Sequence, residues 1–345
     1  MATIKDVASA VGVSVSTVSY ALNGTRPISK AKKELILKTA QELRFRPRAI
    51  ARSLASKRTH ILAILFPALE RGLGLSEIDL ITQAARDALG RGYHMVIWTL
   101  QTDDEEELRE LLAQELVDGI VLMEIRNRDW RIPVLKETDI PFIILGRDEA
   151  APGESYIDVD FFDTMMRSIS YLKGLGHRQI DFINQSEKSF RDGYGPVVRT
   201  HEAFEYFCGN FDIDGREYFC GWESEAVRSR TISLLSERQG TTACIVMNDK
   251  ALPGIIAGLS GQRRRIPEDM SLVSIISSAG AASFFLPALT SFEMDIDAMM
   301  EAAISQLIAK IEGRYAELST RLIPCILRER DSTGMNMVTR DRMVS

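Results

Sequence analysis

The sequence predicts an α/β protein: a small all-α helix-turn-helix head, then a larger core of two lobes, each a parallel sheet flanked by helices. Three observations lead there. A length of 345 residues exceeds what one small core organises, so two or three domains are expected. The first 60 residues carry 12 Lys and Arg against 3 Asp and Glu, a net +9, while the remaining 285 sum to -15 beneath an overall -6. From Ile61 onward, short apolar runs alternate with longer amphipathic ones, the grammar of βαβ units. A basic head on an acidic body points to a polyanionic partner at one end only.

Within the head, Thr3 opens a helix with Asp6 in capping-box spacing, Ile4, Val7, Ala8 and Val11 mark its apolar face, and Gly12 ends it. Ser14 caps a second helix with Val18, Ala21 and Leu22 inward, ending at Asn23-Gly24. Ser29 caps a third with Ile36, Ala40 and Leu43 inward and Lys30, Lys32, Lys33 and Lys38 outward. Residues 46–58 are basic, with an apolar stripe of only Ile50, Ala51, Leu54 and Ala55. A helix that short is marginal alone in water and is expected to fold on docking.

In the core, "ILAILF", "HMVIWTL", "DGIVLM" and "PFIILG" read as strands separated by helices through "LITQAARDALGRG" and "EEELRELLAQEL". The alternation restarts after Phe161: a helix, "QIDFIN", a helix around Thr200–Cys208, a strand near Glu217–Cys220, a helix at Ala226–Leu235, then "ACIVM", "SLVSII" and "TSFEMD". Two similar lobes with a cleft between them are expected, and the polar stretch after Arg328 is expected to fray. His177, after a glycine helix stop, reads as a structural connector. The run "TDDEEELRE" reads as a solvated helix start suited to the dipole, not a metal site.

Function classes narrow accordingly. Cys208, Cys220, Cys244 and Cys325 are scattered without CxxC pairing or nearby His, so reduced thiols and no metal are expected. There is no apolar signal segment or run of 18 apolar residues, so a cytoplasmic protein without membrane contact is expected. No GxSxG, P-loop or GxGxxG pattern occurs, so no catalytic residues and no cofactor are assigned, and an enzyme is the disfavoured reading. A transport solute-binding protein would share the core but would need an export signal in place of the head.

Helix, glycine-containing turn, helix is the arrangement that places its second helix in the DNA major groove. On that helix Val15, Ser16, Ser19 and Tyr20 sit together opposite Val18 and Leu22. Val15 can pack on a thymine methyl, Ser16 and Tyr20 can bond base edges, and Ser14 and Thr17 can bond phosphate oxygens. The flanking Lys and Arg supply the charge that this helix lacks.

The stretches "ATIKDVASAVGVSVSTVSYALNGTRPIS" and "RPRAIARSLAS" resemble the lactose-repressor/galactose-repressor (LacI/GalR) transcription regulators. The likeness continues through "LVDGIVL", "YIDVD", "LGHRQIDFI", "MNDKALPG" and "IPEDMSLVSI" up to about Arg328. The resemblance implies a homodimeric repressor or activator with a core like the periplasmic sugar-binding proteins, a small-molecule effector in the cleft and double-stranded operator DNA as partner. It implies domains at 1–46 (head), 47–60 (hinge helix and linker) and 61–328 (core), with a tail at 329–345. Lobe 1 would hold about 61–160 plus 291–320, and lobe 2 about 161–290 plus 321–328. By the same resemblance Val15, Ser16 and Tyr20 occupy specificity positions. Leu54, with Ala51 beside it, is the minor-groove wedge, expected to kink a central CG step of a pseudo-palindrome. Phosphate contacts fall to Thr3, Lys5, Ser14, Thr17, Asn23, Arg26 and Arg52.

The effector positions carried over are Leu73, Asp160, Arg199, Thr200, Trp222, Asn248, Asp249 and Ile276. Here the pattern departs from its relatives. Arg71-Gly72-Leu73-Gly74 stands where an Asn-Pro-Phe-Phe stretch is usual, Thr200 where an Arg is usual, and Ser274-Ile275-Ile276 where an Asp would meet a hydroxyl. Two readings follow: an effector that is less hydroxylated than a sugar, or an acid, held through Arg199, Asn248, Asp249 and Trp222; or a cleft that takes no small molecule. Asp160 is expected to face either the cleft or a hinge.

Overall fold

The computed structural model describes residues 2–43 except 24–25, residue 45, and residues 58–67, 73–100, 104–247, 249–314 and 320–336. The head holds α1 (Ile4–Val11), α2 (Val15–Asn23) and α3 (Lys30–Glu42). Asp6 carboxylate accepts from both the Thr3 N–H (2.7 Å) and the Thr3 hydroxyl (2.9 Å), which fixes the start of α1. Gly12 closes it at φ 71, a conformation that a Cβ would strain. Val7, Ala8, Val18, Ala21, Ile36 and Ala40 form the head's own small core. Two expectations shift: Ser29 makes no side-chain cap bond, and Leu43 lies just past the end of α3, where the helical stripe no longer aims inward, and is 38% exposed.

Sheet one is built from β1 (Ile61–Phe66), β2 (His94–Thr99), β3 (Gly119–Leu122), β4 (Phe142–Leu145) and β5 (Tyr156–Val159), with α4 (Leu75–Gly90), α5 (Glu105–Ala113) and α6 (Arg131–Lys136) between them. Sheet two is built from β6 (Gln179–Asn184), β7 (Asp214–Phe219), β8 (Ala243–Val246), β9 (Ser271–Ser277) and β10 (Thr290–Glu293). Its helices are α7 (Phe161–Gly174), α8 (Glu187–Arg191), α9 (Gly195–Phe211), α10 (Ser224–Glu237), α11 (Leu252–Gly261) and α12 (Ala279–Ser283). After α13 (Ile296–Ile311), β11 (Thr320–Ile323) returns to sheet one and β12 (Ile326–Arg328) to sheet two.

The orders are β11-β5-β4-β3-β1-β2 and β12-β10-β9-β8-β6-β7, so the two lobes repeat one doubly wound topology. All pairings among these named strands are parallel except β10 with β12. The inner strands are apolar along their length, as burial on both faces requires.

The chain crosses between lobes after β5, after β10 and after β11. Asp160 and Asp295 cap the helices that begin on the far side, accepting from Asp163 N–H (2.9 Å) and Ala298 N–H (3.1 Å). Asp160 N–H also donates to Ile323 C=O (2.9 Å), which ties the first crossing to the third. Strand 290–293 belongs to sheet two and strand 320–323 to sheet one, so these crossings fall about three residues later than the spans 291–320 and 321–328 place them. Each changeover waits for a strand to complete its pairing.

Residues 329–336, expected to fray, are stitched to lobe two. Ser332 is fully buried and donates to Leu272 C=O (2.5 Å) while accepting from Thr290 N–H (2.8 Å). Arg330 pairs with Glu293 (2.6 Å), and the Asn336 amide donates to Gly176 C=O (3.2 Å). Ser332 serves buried partners, while Glu329 and Asp331 beside it stay exposed. His177 is the connector it reads as, its ring meeting Thr242 and Ser271 hydroxyls and Gly334 C=O at 2.9–3.1 Å. Burial holds the ring's pKa below the ordinary histidine value, which keeps it neutral.

Candidate nucleic-acid interface and inter-lobe cleft

On α2 the inward positions Val18 and Ala21 are buried, while Val15 is 41% exposed and Ser16 is exposed beside it. Ser14 Oγ accepts from Thr17 N–H (3.1 Å) and shares hydrogen bonds with the Ser16 (2.9 Å) and Thr17 (2.8 Å) hydroxyls. That chain caps the helix and aligns three hydroxyls at its first turn. Tyr20 is half-buried, with the Arg26 guanidinium over its ring at 5.1 Å. Lys30, Lys32, Lys33 and Lys38 are exposed on α3. The head therefore offers a neutral, hydroxyl-rich helix rimmed by cations. Thr3 is committed to its cap, Lys5 is exposed, and the side chain of Asn23, together with Ala51, Arg52 and Leu54, lies outside the described residues.

Between the lobes lies a cavity of about 110 Å³. Its wall comes from the carboxyl ends of the strands: Met123 after β3, Leu145 and Gly146 at β4, Asp158 and Val159 at β5, Gln185 after β6, Met247 after β8, Ile276 on β9 and Met294 after β10. That is where an open α/β sheet presents a crevice. The lobes meet directly around it. Tyr194 hydroxyl donates to Glu124 (2.9 Å), Gly195 N–H to Ile125 C=O (3.0 Å), Ser76 hydroxyl to Asp249 (3.2 Å), and Lys250 faces Glu77 at 3.8 Å.

Of the expected effector residues, Ile276 lines the cavity. It sits at φ 58, in the left-handed region that a β-branched residue rarely enters. The cause is a register shift: Ile275 pairs with Phe292 and Ser277 with Glu293, so Ile276 is the extra residue of a bulge. The others do not reach the wall among the described residues. Leu73 packs on the core, Asp160 caps α7 at the crossing, and Trp222 is half-buried elsewhere. Thr200 is fully buried and bonds back to Pro196 C=O (2.8 Å). Asp249 is held by Ser76, and burial, with Glu77 nearby, raises its pKa. Asn248 lies outside the described residues.

Arg199 is engaged within the protein. Its Nη2 lies 3.1 Å from Asp158 Oδ2, across the lobe boundary, and its guanidinium covers the Phe161 ring at 5.0 Å. Arg147 approaches the same carboxylate at 3.8 Å. Both partners are almost fully buried, yet Asp158 Oδ2 and Arg199 Nε and Nη2 have no hydrogen bond of acceptable geometry. Burial outweighs both guanidinium groups and pushes Asp158 up to about 6; burial likewise lowers the Arg199 pKa. An acid held by Arg199 is therefore disfavoured.

Met123, Met247, Met294 and Met299 also line the wall, and the sequence reading singles out none of them as a site residue. Three of them directly follow a legible strand, and the crevice rule applied to strand ends would have found them.

Comparison with known proteins follows the same division. The profile for bacterial regulatory proteins of the lacI family matches residues 3–48, and that for a periplasmic binding protein-like domain matches 169–333. The HTH-type transcriptional repressor PurR of Klebsiella pneumoniae (strain 342) is 28% identical over 336 residues, 94% of this chain and 96% of its own. The NTD biosynthesis operon regulator NtdR of Bacillus subtilis (strain 168) is 26% identical over 348 residues, 96% of this chain and 100% of its own. Among solved structures, the lac repressor dimer bound to operator and the anti-inducer ONPF superposes with a TM-score of 0.81 at 22% identity, covering 96% and 99% of the two chains. The CelR–cellobiose complex gives 0.70 at 22% identity, covering 96% and 100%.

Proposed function

We propose that this chain, whose residues 3–48 match the profile for bacterial regulatory proteins of the lacI family, is a repressor that binds a two-fold symmetric DNA operator as a homodimer and is modulated by a small molecule between its lobes. It is not an enzyme. The observation that carries the reading is the outward face of α2, where Val15 and Ser16 stand exposed and uncharged within a 60-residue N-terminal segment of net +9. Residues 1–46 read bases from the major groove, residues 47–60 dock on the operator with Leu54 opening a central CG step, and residues 61–328 pair the subunits and hold the effector. No helix among the described residues is long and apolar enough to cross a membrane, and a cytoplasmic site of action goes with the DNA partner.

The cleft acts on the head through the spacing of the paired cores, which sets how much of each hinge can dock. A coupling of about 1–3 kcal/mol shifts operator affinity roughly 5- to 150-fold. The test is selection of bound fragments from the source genome, followed by competition against random DNA. A recovered pseudo-palindrome with strong preference over competitor is expected, and deleting residues 1–60 should abolish it. Equal binding to all fragments would refute the reading.

A further inference from the structure

We infer that the cleft is built for a compact, mostly apolar molecule that carries no anionic group and whose polar end donates hydrogen bonds, such as an aromatic amine or alcohol. The inference rests on the regulator reading for its site but not for its chemistry.

Size comes first. The lobes already touch across the cleft, and the space they leave is about 110 Å³. An apolar cavity of roughly 150 Å³ holds a benzene ring, so with the lobes in this arrangement the space is on the scale of one ring or a branched chain of similar bulk.

The lining is the second argument. Met123, Met247, Met294 and Met299 converge with Ile276 and Phe161, a surface that adapts to irregular carbon skeletons and favours aromatic edges through its sulfur atoms. A polyol buried here would leave hydroxyls facing hydrocarbon.

Charge is the third. Among the described residues of the wall, the ionisable side chains are Glu77, Glu124, Asp158 and Tyr194; no Lys, Arg or His contributes. Cations beside the wall stand paired with carboxylates: Lys250 faces Glu77 at 3.8 Å, Arg199 faces Asp158 at 3.1 Å, and Arg131, which donates to the Met123 and Glu124 carbonyls, pairs with Asp129 at 2.7 Å. An entering carboxylate or phosphate would meet acceptors in a medium of low dielectric, whereas an ammonium or hydroxyl would meet partners. The bulge at Ile276 completes the case, because a strained backbone places hydrocarbon in the wall.

The experiment uses the full chain with methyl-labelled methionine, titrated with benzylamine, benzyl alcohol, benzoate and D-glucose while methyl NMR spectra are recorded. Benzylamine and benzyl alcohol should shift the resonances of Met123, Met247, Met294 and Met299, assigned by single Met→Leu variants, with affinities at least tenfold above those of benzoate and glucose. Tighter or equal binding of benzoate or glucose at these methyls would overturn the inference, and so would silence with all four probes at millimolar concentration. Operator selectivity, measured on the same preparation, separates the two readings: if it persists while the probes fail, the ligand class is wrong and the regulator stands; if it is absent, the regulator reading itself has failed.

Discussion

Asp158 and Arg199 meet across the lobe boundary with incomplete hydrogen bonding, so each depends on the other for tolerable burial. Arg199→Met should destabilise the protein by about 3–5 kcal/mol, because it strands a buried carboxylate, while the double variant with Asp158→Asn should recover most of that loss; urea unfolding checks both. The pH dependence follows from the same pair. A carboxyl raised to about 6 when folded, from 3.8, favours the folded state while protonated. Its contribution is full below pH 3.8 and is lost as pH rises to about 6, and Asp158→Asn should flatten that segment of the stability curve. None of this was legible in sequence, where Arg199 reads as a ligand contact. Its true partner lies 41 positions away on another lobe, and no local pattern announces such a pair. The uncharged face of Val15 and Ser16, by contrast, was legible, since helical spacing alone sets it opposite Val18.

Helices and strands in this chain announce themselves where burial repeats with a period. The three head helices and most sheet strands follow their expected spans within a few residues because the inner strands are apolar throughout and the amphipathic helices are not. Short elements such as α6, α8 and α12, with five or six residues each, have no room for a period. The edge strands β11 and β12 are largely exposed and show no apolar run. Residues 329–336 misled for a different reason, since Ser332 answers buried backbone groups while exposed Glu329 and Asp331 beside it keep the stretch polar. At the first turn of α2, Ser14 both caps the helix and aligns the Ser16 and Thr17 hydroxyls. Ser14→Ala should therefore cost about 1 kcal/mol and speed hydrogen exchange at the Thr17 amide, measured in the full chain. Operator affinity should fall with it, because the reading face loses its fixed start.

The whole molecule separates charge as it separates tasks. If each subunit of a dimer brings the +9 of residues 1–60 to DNA, the logarithm of operator affinity should fall linearly with the logarithm of salt, at a slope of about -0.9 per phosphate neutralised, as filter binding or fluorescence anisotropy would show. A flat response would contradict phosphate-led binding. The partition of the core into lobes was legible from the restart of alternation after Phe161, but the closed fit of the lobes was not, since it depends on contacts such as Tyr194 to Glu124 that only the fold brings together. The backbone bond from Asp160 to Ile323 fastens two of the three crossings at one edge. Should the inter-lobe contacts release, that fastened edge would serve the lobes as a spine serves the covers of a book. A molecule slipped between the pages would then turn each cover through one angle but displace it most at the fore-edge, so a wedge the size of one ring is amplified with distance from the binding.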